Sequence, residues 1–153
     1  MAPLDPLPGR PLPADDDGDA FFWSAGADGR LHMQRCGSCE LVVHPPAPRC
    51  PRCLSADVAP QPLRGTGRVA TFTVNHQPWT AMAVPYVVAI VELDDQEALQ
   101  LTTNIRGCAP DDVEIGMPVR VVFERHERPD TGSVYVPVFI PSTGEEGRDG
   151  NNR

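Results

Sequence analysis

From Gly65 onward the chain is written in strand rhythm. Arg68-Val69-Ala70-Thr71-Phe72-Thr73-Val74 alternates, with Ala70, Phe72 and Val74 sharing one face. Pro85 to Leu93 is apolar on both faces, which predicts a strand at the sheet centre. After a turn at Asp94-Asp95, residues Leu99, Leu101, Thr103 and Ile105 alternate again. Val119–Glu124 and Ser133–Ile140 complete the set, and Pro137 places the last strand at an edge or a bulge, because proline cannot donate to a ladder. Five strands in about 75 residues, with a short turn rather than a full helix between the third and fourth, predict a small Greek-key barrel of the OB type. A plain β-sandwich is the alternative.

The N-terminal half reads differently. Five prolines in the first thirteen residues, then Asp15-Asp16-Asp17, predict a disordered, solvated arm over 1–18. Asp17 or Asp19 can cap a short helix within 19–29 that carries Phe21, Phe22 and Trp23 and ends at Gly26 and Gly29. Strands at Leu31–Arg35 and Leu41–His44 follow, and Pro60 and Pro62 mark a linker. The expected units are therefore the arm, the helix, a small cysteine-bearing module over 30–61, the barrel over 62–141 and a disordered Gly-rich tail over 142–153.

That small module holds two Cys-x-x-Cys turns, Cys36-Gly37-Ser38-Cys39 and Cys50-Pro51-Arg52-Cys53, ten residues apart. Each turn can aim two sulfurs at one point, and four soft thiolates suit tetrahedral zinc, so the spacing predicts a rubredoxin-like zinc ribbon. Two disulfides or a redox pair compete with this reading. No apolar leader opens the chain, so a reducing, cytoplasmic setting is expected. The helix and strand pattern that frames a redox pair is missing. Four protein ligands fill the tetrahedron, which makes one structural zinc per chain the expectation. A segment with so few large apolar residues needs such a staple.

Charge and composition narrow the function. A net charge of −8 argues against a general nucleic-acid binder, whose affinity for phosphate is largely cationic. Six arginines against two acids over 30–70 concentrate the positive charge in and beside the ribbon. No apolar run reaches eighteen residues, so a membrane span is not expected. The chain contains no lysine, which removes Schiff-base chemistry. Cys108 lacks an evident base, although His76 or His126 could serve, and His44 could stand in as a metal ligand. Asp94-Asp95 and Asp111-Asp112 sit in turns and point apart, so neither forms an acid/base dyad.

An ordered set of pieces carries a resemblance across about residues 19–141: Phe21-Phe22-Trp23, Gly29-Arg30-Leu31, Arg35-Cys36, Cys50-Pro51-Arg52-Cys53, Gly65-Thr66-Gly67, Pro85–Leu93 and Ile115-Gly116-Met117-Pro118-Val119. The set resembles the zinc-ribbon/OB-fold acyl-CoA-associated family, long filed as domain-of-unknown-function family thirty-five. The resemblance implies a non-catalytic accessory subunit. Its partner would be a thiolase-fold enzyme, such as a thiolase or a lipid-transfer-protein-like aldolase that cleaves steroid side-chain CoA thioesters, in a hetero-oligomer. The metal ligands would be Cys36, Cys39, Cys50 and Cys53. Tyr86, Trp79 and Arg52 are expected near a shared acyl-CoA. Phe21, Phe22, Trp23, Tyr135 and Phe139 are expected at the partner interface, as apolar area a monomer has difficulty burying. A nucleic-acid-binding ribbon and barrel, and a stand-alone acyl-CoA lyase or hydrolase, are the competing functions.

Overall fold

The computed structural model describes residues 2–14 and 18–142. The Asp15-Asp16-Asp17 run and the expected tail beyond Ser142 lie outside these. The described chain is mostly strand, with one short helix, α1 (Ala20–Ser24), running into a 3-10 turn at Ala25–Asp28. Asp19 stands at the N-cap without a capping bond to the backbone; its Oδ2 accepts a hydrogen bond from the Trp23 indole at 3.1 Å.

The ribbon is a three-stranded antiparallel sheet in the order β2 (Val42–Val43), β1 (His32–Cys36), β3 (Val58–Pro62). The third strand corrects the expected linker: Gln34 pairs with Pro60 and His32 with Pro62. An edge strand tolerates both prolines, because the N–H each lacks has no ladder to serve on the solvent side.

The barrel is closed by β4 (Thr66–Asn75), β5 (Tyr86–Leu93), β6 (Gln100–Ile105), β8 (Gly132–Pro141) and β7 (Pro118–Arg128), in that spatial order. A 3-10 turn at Pro110–Asp112 replaces a helix between β6 and β7. The register of β4 against β5 shifts between Val69 and Thr71. That bulge at Ala70 moves the inward set from Gly67 and Val69 to Phe72 and Val74, so the single face expected from alternation is interrupted. Pro137 sits opposite Phe123 in the long β7–β8 pairing, while β8 meets β6 in parallel only at Ile105 and Phe139.

Both sides of β8 are covered. Phe139 lies in the main core with Val69, Val91 and Val119. Val134, Val136 and Val138 form a second cluster with Val122, against which Leu4 and Leu12 of the arm and Trp23 of α1 pack. Residues 2–14 are thus a packed strap rather than a solvated arm, since they shield apolar area that the barrel alone leaves bare. Gly26 sits where a Cβ would strike the Phe123 ring and the Tyr135 Cβ. Overpacking of this kind costs about 1–3 kcal/mol. Gly26→Ala is therefore expected to lower thermal stability by an amount in that range, while Gly29→Ala, with open space around it, should cost only the strain of its left-handed backbone.

Candidate functional site

The two cysteine turns repeat one geometry. Cys36 and Cys50 each accept, through their carbonyls, an N–H four residues on, from Glu40 and Leu54, both at 2.9 Å. Glu40 and Leu54 take left-handed backbone with φ of 65° and 62°, which folds each turn back on itself. The result brings four Sγ atoms within 4.8 Å of one another, with Cys36–Cys53 and Cys39–Cys50 at 3.5 Å. Disulfide bonding requires about 2.05 Å, so these are free thiols. A Zn–S length of about 2.3 Å implies tetrahedral edges near 3.8 Å, inside the observed range. The cluster is thus positioned to bind a metal ion. The backbone N–H groups of Ser38 and Cys39 point at the Cys36 sulfur at 3.4 and 3.5 Å.

The thiols are electrostatically unequal. The Leu41 N–H, then Arg52, pulls Cys39 down to about 6. At Cys53 the Ser55 N–H favours the thiolate, but the hydrogen bond with the Cys36 thiol, then desolvation and the other two thiols, overcome it and push the group up to about 12. Crowding four sulfurs without a cation forces protons onto some of them, and a bound cation relieves that conflict.

A second polar constellation was invisible in the sequence. Glu124, fully buried on β7, accepts Arg10 Nε at 2.6 Å and Arg10 Nη2 at 2.9 Å in a forked pair. Arg106 Nη1 at 3.1 Å and His126 Nε2 at 3.0 Å complete its shell. Burial alone would raise the carboxyl, yet the bonds from Arg10 and His126 and the charges of Arg10 and Arg106 hold it below its ordinary 4.5. Arg106 also donates to the Asp5 carbonyl at 2.8 Å, and Leu4 N to the Phe123 carbonyl at 2.7 Å, so the cluster locks the strap onto the barrel. Glu124 breaks the apolar pattern of its strand, but its main partner is 114 positions away.

The other expected site residues separate. Trp79 is 77% exposed at the tip of the β4–β5 loop, and Tyr86 stands half-buried at the loop's base, paired with Asn75. Gly9 of the strap packs against the Ala81 backbone and Met82 is buried, which pins this loop. Arg52 is instead part of the ribbon, donating to the Cys39 carbonyl at 2.8 Å. Phe139 and Phe22 are buried in the core, which corrects their expected role as surface contacts; Phe21, Trp23 and Tyr135 are half-buried against the same core. His44 packs on the Phe22 ring at 5.0 Å and takes no part in the sulfur cluster. Burial, then the Asp112 carboxylate, pushes Cys108 up from 9.0, the reverse of an activated nucleophile. His126 is held by Glu124.

Among the described residues no helix is long and apolar enough to cross a membrane. Two family models match in succession: the ChsH2 rubredoxin-like zinc ribbon domain over residues 23–59 and the ChsH2 C-terminal OB-fold domain over 60–124. A probable enoyl-CoA hydratase alpha subunit from Thermomonospora curvata is 43% identical over 138 residues, 90% of this chain and 41% of that protein. The chain therefore spans well under half of that relative. A DUF35 domain-containing scaffold protein from Methanothermobacter thermautotrophicus is 35% identical over 118 residues, 74% of this chain and 87% of the scaffold. Among solved structures, a chain of the Ltp2-ChsH2(DUF35) aldolase superposes with a TM-score of 0.71 at 42% identity, covering 86% of this chain and 100% of that one. With ribbon and barrel matched in order and the scaffold relative covered nearly end to end, the chain belongs to the ChsH2-type DUF35 family of zinc-ribbon and OB-fold proteins.

Proposed function

We propose that this chain is a non-catalytic accessory subunit that binds a thiolase-fold acyl-CoA aldolase, stabilises it and helps to form its acyl-CoA site. The observation that carries this reading is the likeness to a chain of the Ltp2-ChsH2(DUF35) aldolase, matched over 100% of its length. The matched portion of the Thermomonospora protein is 41% of it, so the hydratase activity in that name is not carried over.

The residue chemistry supports the same reading. Zinc, one ion per chain, is held by Cys36, Cys39, Cys50 and Cys53; it fastens the ribbon and has no open position for substrate. Lysine is absent from the sequence and the Cys108 thiol is raised, so among the described residues the one cysteine outside the metal cluster is not a prepared nucleophile. A reducing cytoplasm suits its free thiols.

The partner surface centres on the β4–β5 loop. Trp79 is a large exposed aromatic on a pinned loop, the kind of anchor that dominates interface energetics, and Tyr86 beneath it faces the acyl-CoA entrance. Phe21, Trp23 and Tyr135 contribute at the margin. Co-expression with the aldolase followed by size exclusion tests this: the wild-type chain is expected to co-elute. Trp79→Ala is expected to weaken the complex at least about tenfold, the scale of an interface anchor, without changing metal content. Normal binding by both Trp79→Ala and Trp23→Ala would show that the enzyme docks elsewhere.

A further inference from the structure

The seam between β6 and β8 holds a groove away from the β4–β5 loop on which the proposed partner surface centres. The two strands pair only at Ile105 and Phe139 and diverge from there, with Thr103 Oγ1 reaching across to the Pro137 carbonyl at 3.1 Å. The divergence leaves a half-open cavity of about 680 Å³, walled by Leu12 of the strap, Trp23 of α1, Leu101 of β6 and Val136 of β8. That volume lies within the range of small-molecule sites, which are largely apolar with a few convergent polar groups.

The polar groups of this groove include Arg10 and Asn104. Asn104 Oδ1 accepts Arg10 Nη1 at 2.7 Å, and one of the two Asn104 N–H donors goes to the Val87 carbonyl at 2.7 Å. Arg10 has more donors to spare. A guanidinium has five N–H donors, and the bonds to Glu124 and Asn104 occupy three of them. The local charge is also unbalanced, since two guanidinium groups, Arg10 and Arg106, face one carboxylate, Glu124. Within this cluster one positive charge is left over even with His126 neutral; the other carboxylate beside the groove wall, Asp19, is bonded to the Trp23 indole instead. With the Arg10 side chain only 9% exposed, water screens that excess poorly.

We propose that this groove is a binding site for an amphipathic carboxylate, its hydrocarbon body against Leu12, Trp23, Leu101 and Val136 and its carboxylate on the spare N–H groups of Arg10. The excess is a single charge, which a carboxylate balances and a dianionic phosphate overshoots. An amine at the same place would meet repulsion. The site is formed wholly by this chain and is probed on the isolated chain, so its test does not depend on the aldolase, although Trp23 is shared with the margin of the proposed partner surface.

The test uses the full chain and three ten-carbon probes: decanoate, decanol and decylamine. The protein has two tryptophans, so Trp79→Phe leaves Trp23, in the groove wall, as the sole indole reporter. Decanoate is expected to change Trp23 fluorescence saturably, to bind roughly tenfold or more tighter than decanol, the scale of a charge-assisted hydrogen bond, and to exceed decylamine by more. Thr102→Phe, at an exposed position on the groove lining, is expected to abolish binding by filling it. Arg10→Lys, which keeps a cation facing Glu124 but loses the fork, should weaken decanoate and leave decanol unchanged. Equal affinity for the three probes, no saturable signal with decanoate, or decanoate binding unaffected by Thr102→Phe would overturn the proposal.

Discussion

Cys50→Ser is expected to empty the metal site and unfold the ribbon while leaving the barrel standing. Cys50 is fully buried, and its sulfur lies 3.5 Å from that of Cys39. Structural zinc in small domains contributes roughly 10–16 kcal/mol, far more than this ribbon can recover from Leu31, Met33, Val42 and Val43, its buried apolar side chains. The barrel is closed by its own five strands and depends on the metal less, although Leu31, Met33 and Val42 of the ribbon pack into the same core cluster. One tie would be lost with the ribbon: the Gln96 amide brackets Val42, accepting its N–H at 2.8 Å and donating to its carbonyl at 3.1 Å. Metal analysis should fall from about one zinc per chain to none, since three thiolates make an incomplete structural site. Amide exchange should accelerate across His32–Cys36 and Val58–Pro62 but not across Tyr86–Leu93. A variant that keeps its metal would show that the ligand set is wrong.

Arg10→Ala is expected to destabilise the fold by about 3 kcal/mol, the lower end for breaking a buried ion pair, because Arg106 and His126 remain on Glu124. At this chain length that is a fall of roughly 6–12 °C in Tm. Limited proteolysis should then cut within residues 2–14. Adding Glu124→Gln should recover part of the loss, because the buried carboxylate that lacks its partner is then gone. Acid acts on the same lock. Glu124 is held below its ordinary 4.5, so the folded state binds its proton less readily than the unfolded chain does. The stability it contributes is present above pH 4.5 and is lost as pH falls through the folded value. Protease sensitivity of the strap should therefore appear below that pH in the wild type and be independent of pH there in Arg10→Ala, Glu124→Gln.

The strands and the ribbon were legible because their signals are local. Alternation over Arg68–Val74 and the two-sided apolar run of Pro85–Leu93 follow from the pleat, and Cys-x-x-Cys states its own geometry. The misreadings share a different cause. Alternation groups Ala70 with Phe72 on one face, and the bulge breaks that grouping because it changes parity without changing composition. Pro60 and Pro62 read as a linker because nothing near them in sequence says that β3 is an edge. Phe139 reads as apolar area that a monomer has difficulty burying, because nothing local says that the last strand is covered on both faces. The strap and α1 cover Val134, Val136 and Val138 from the far side, so both faces are inside. The Glu124 cluster depends wholly on contacts distant along the chain: Arg10 and Arg106 reach it across 114 and 18 positions, and no local pattern anticipates that meeting.

The proposed accessory role requires that catalysis belong to the partner and competence to the pair. The direct measurement is thioester-substrate cleavage by the aldolase alone, by this chain alone, and by the two co-purified at equal enzyme concentration. The isolated chain should give no turnover, the aldolase alone weak or short-lived turnover, and the complex full turnover. That gain should be lost with Trp79→Ala at concentrations where its complex dissociates. Turnover by the isolated chain that Cys108→Ala abolishes, or an aldolase equally active and stable without this chain, would overturn the accessory role.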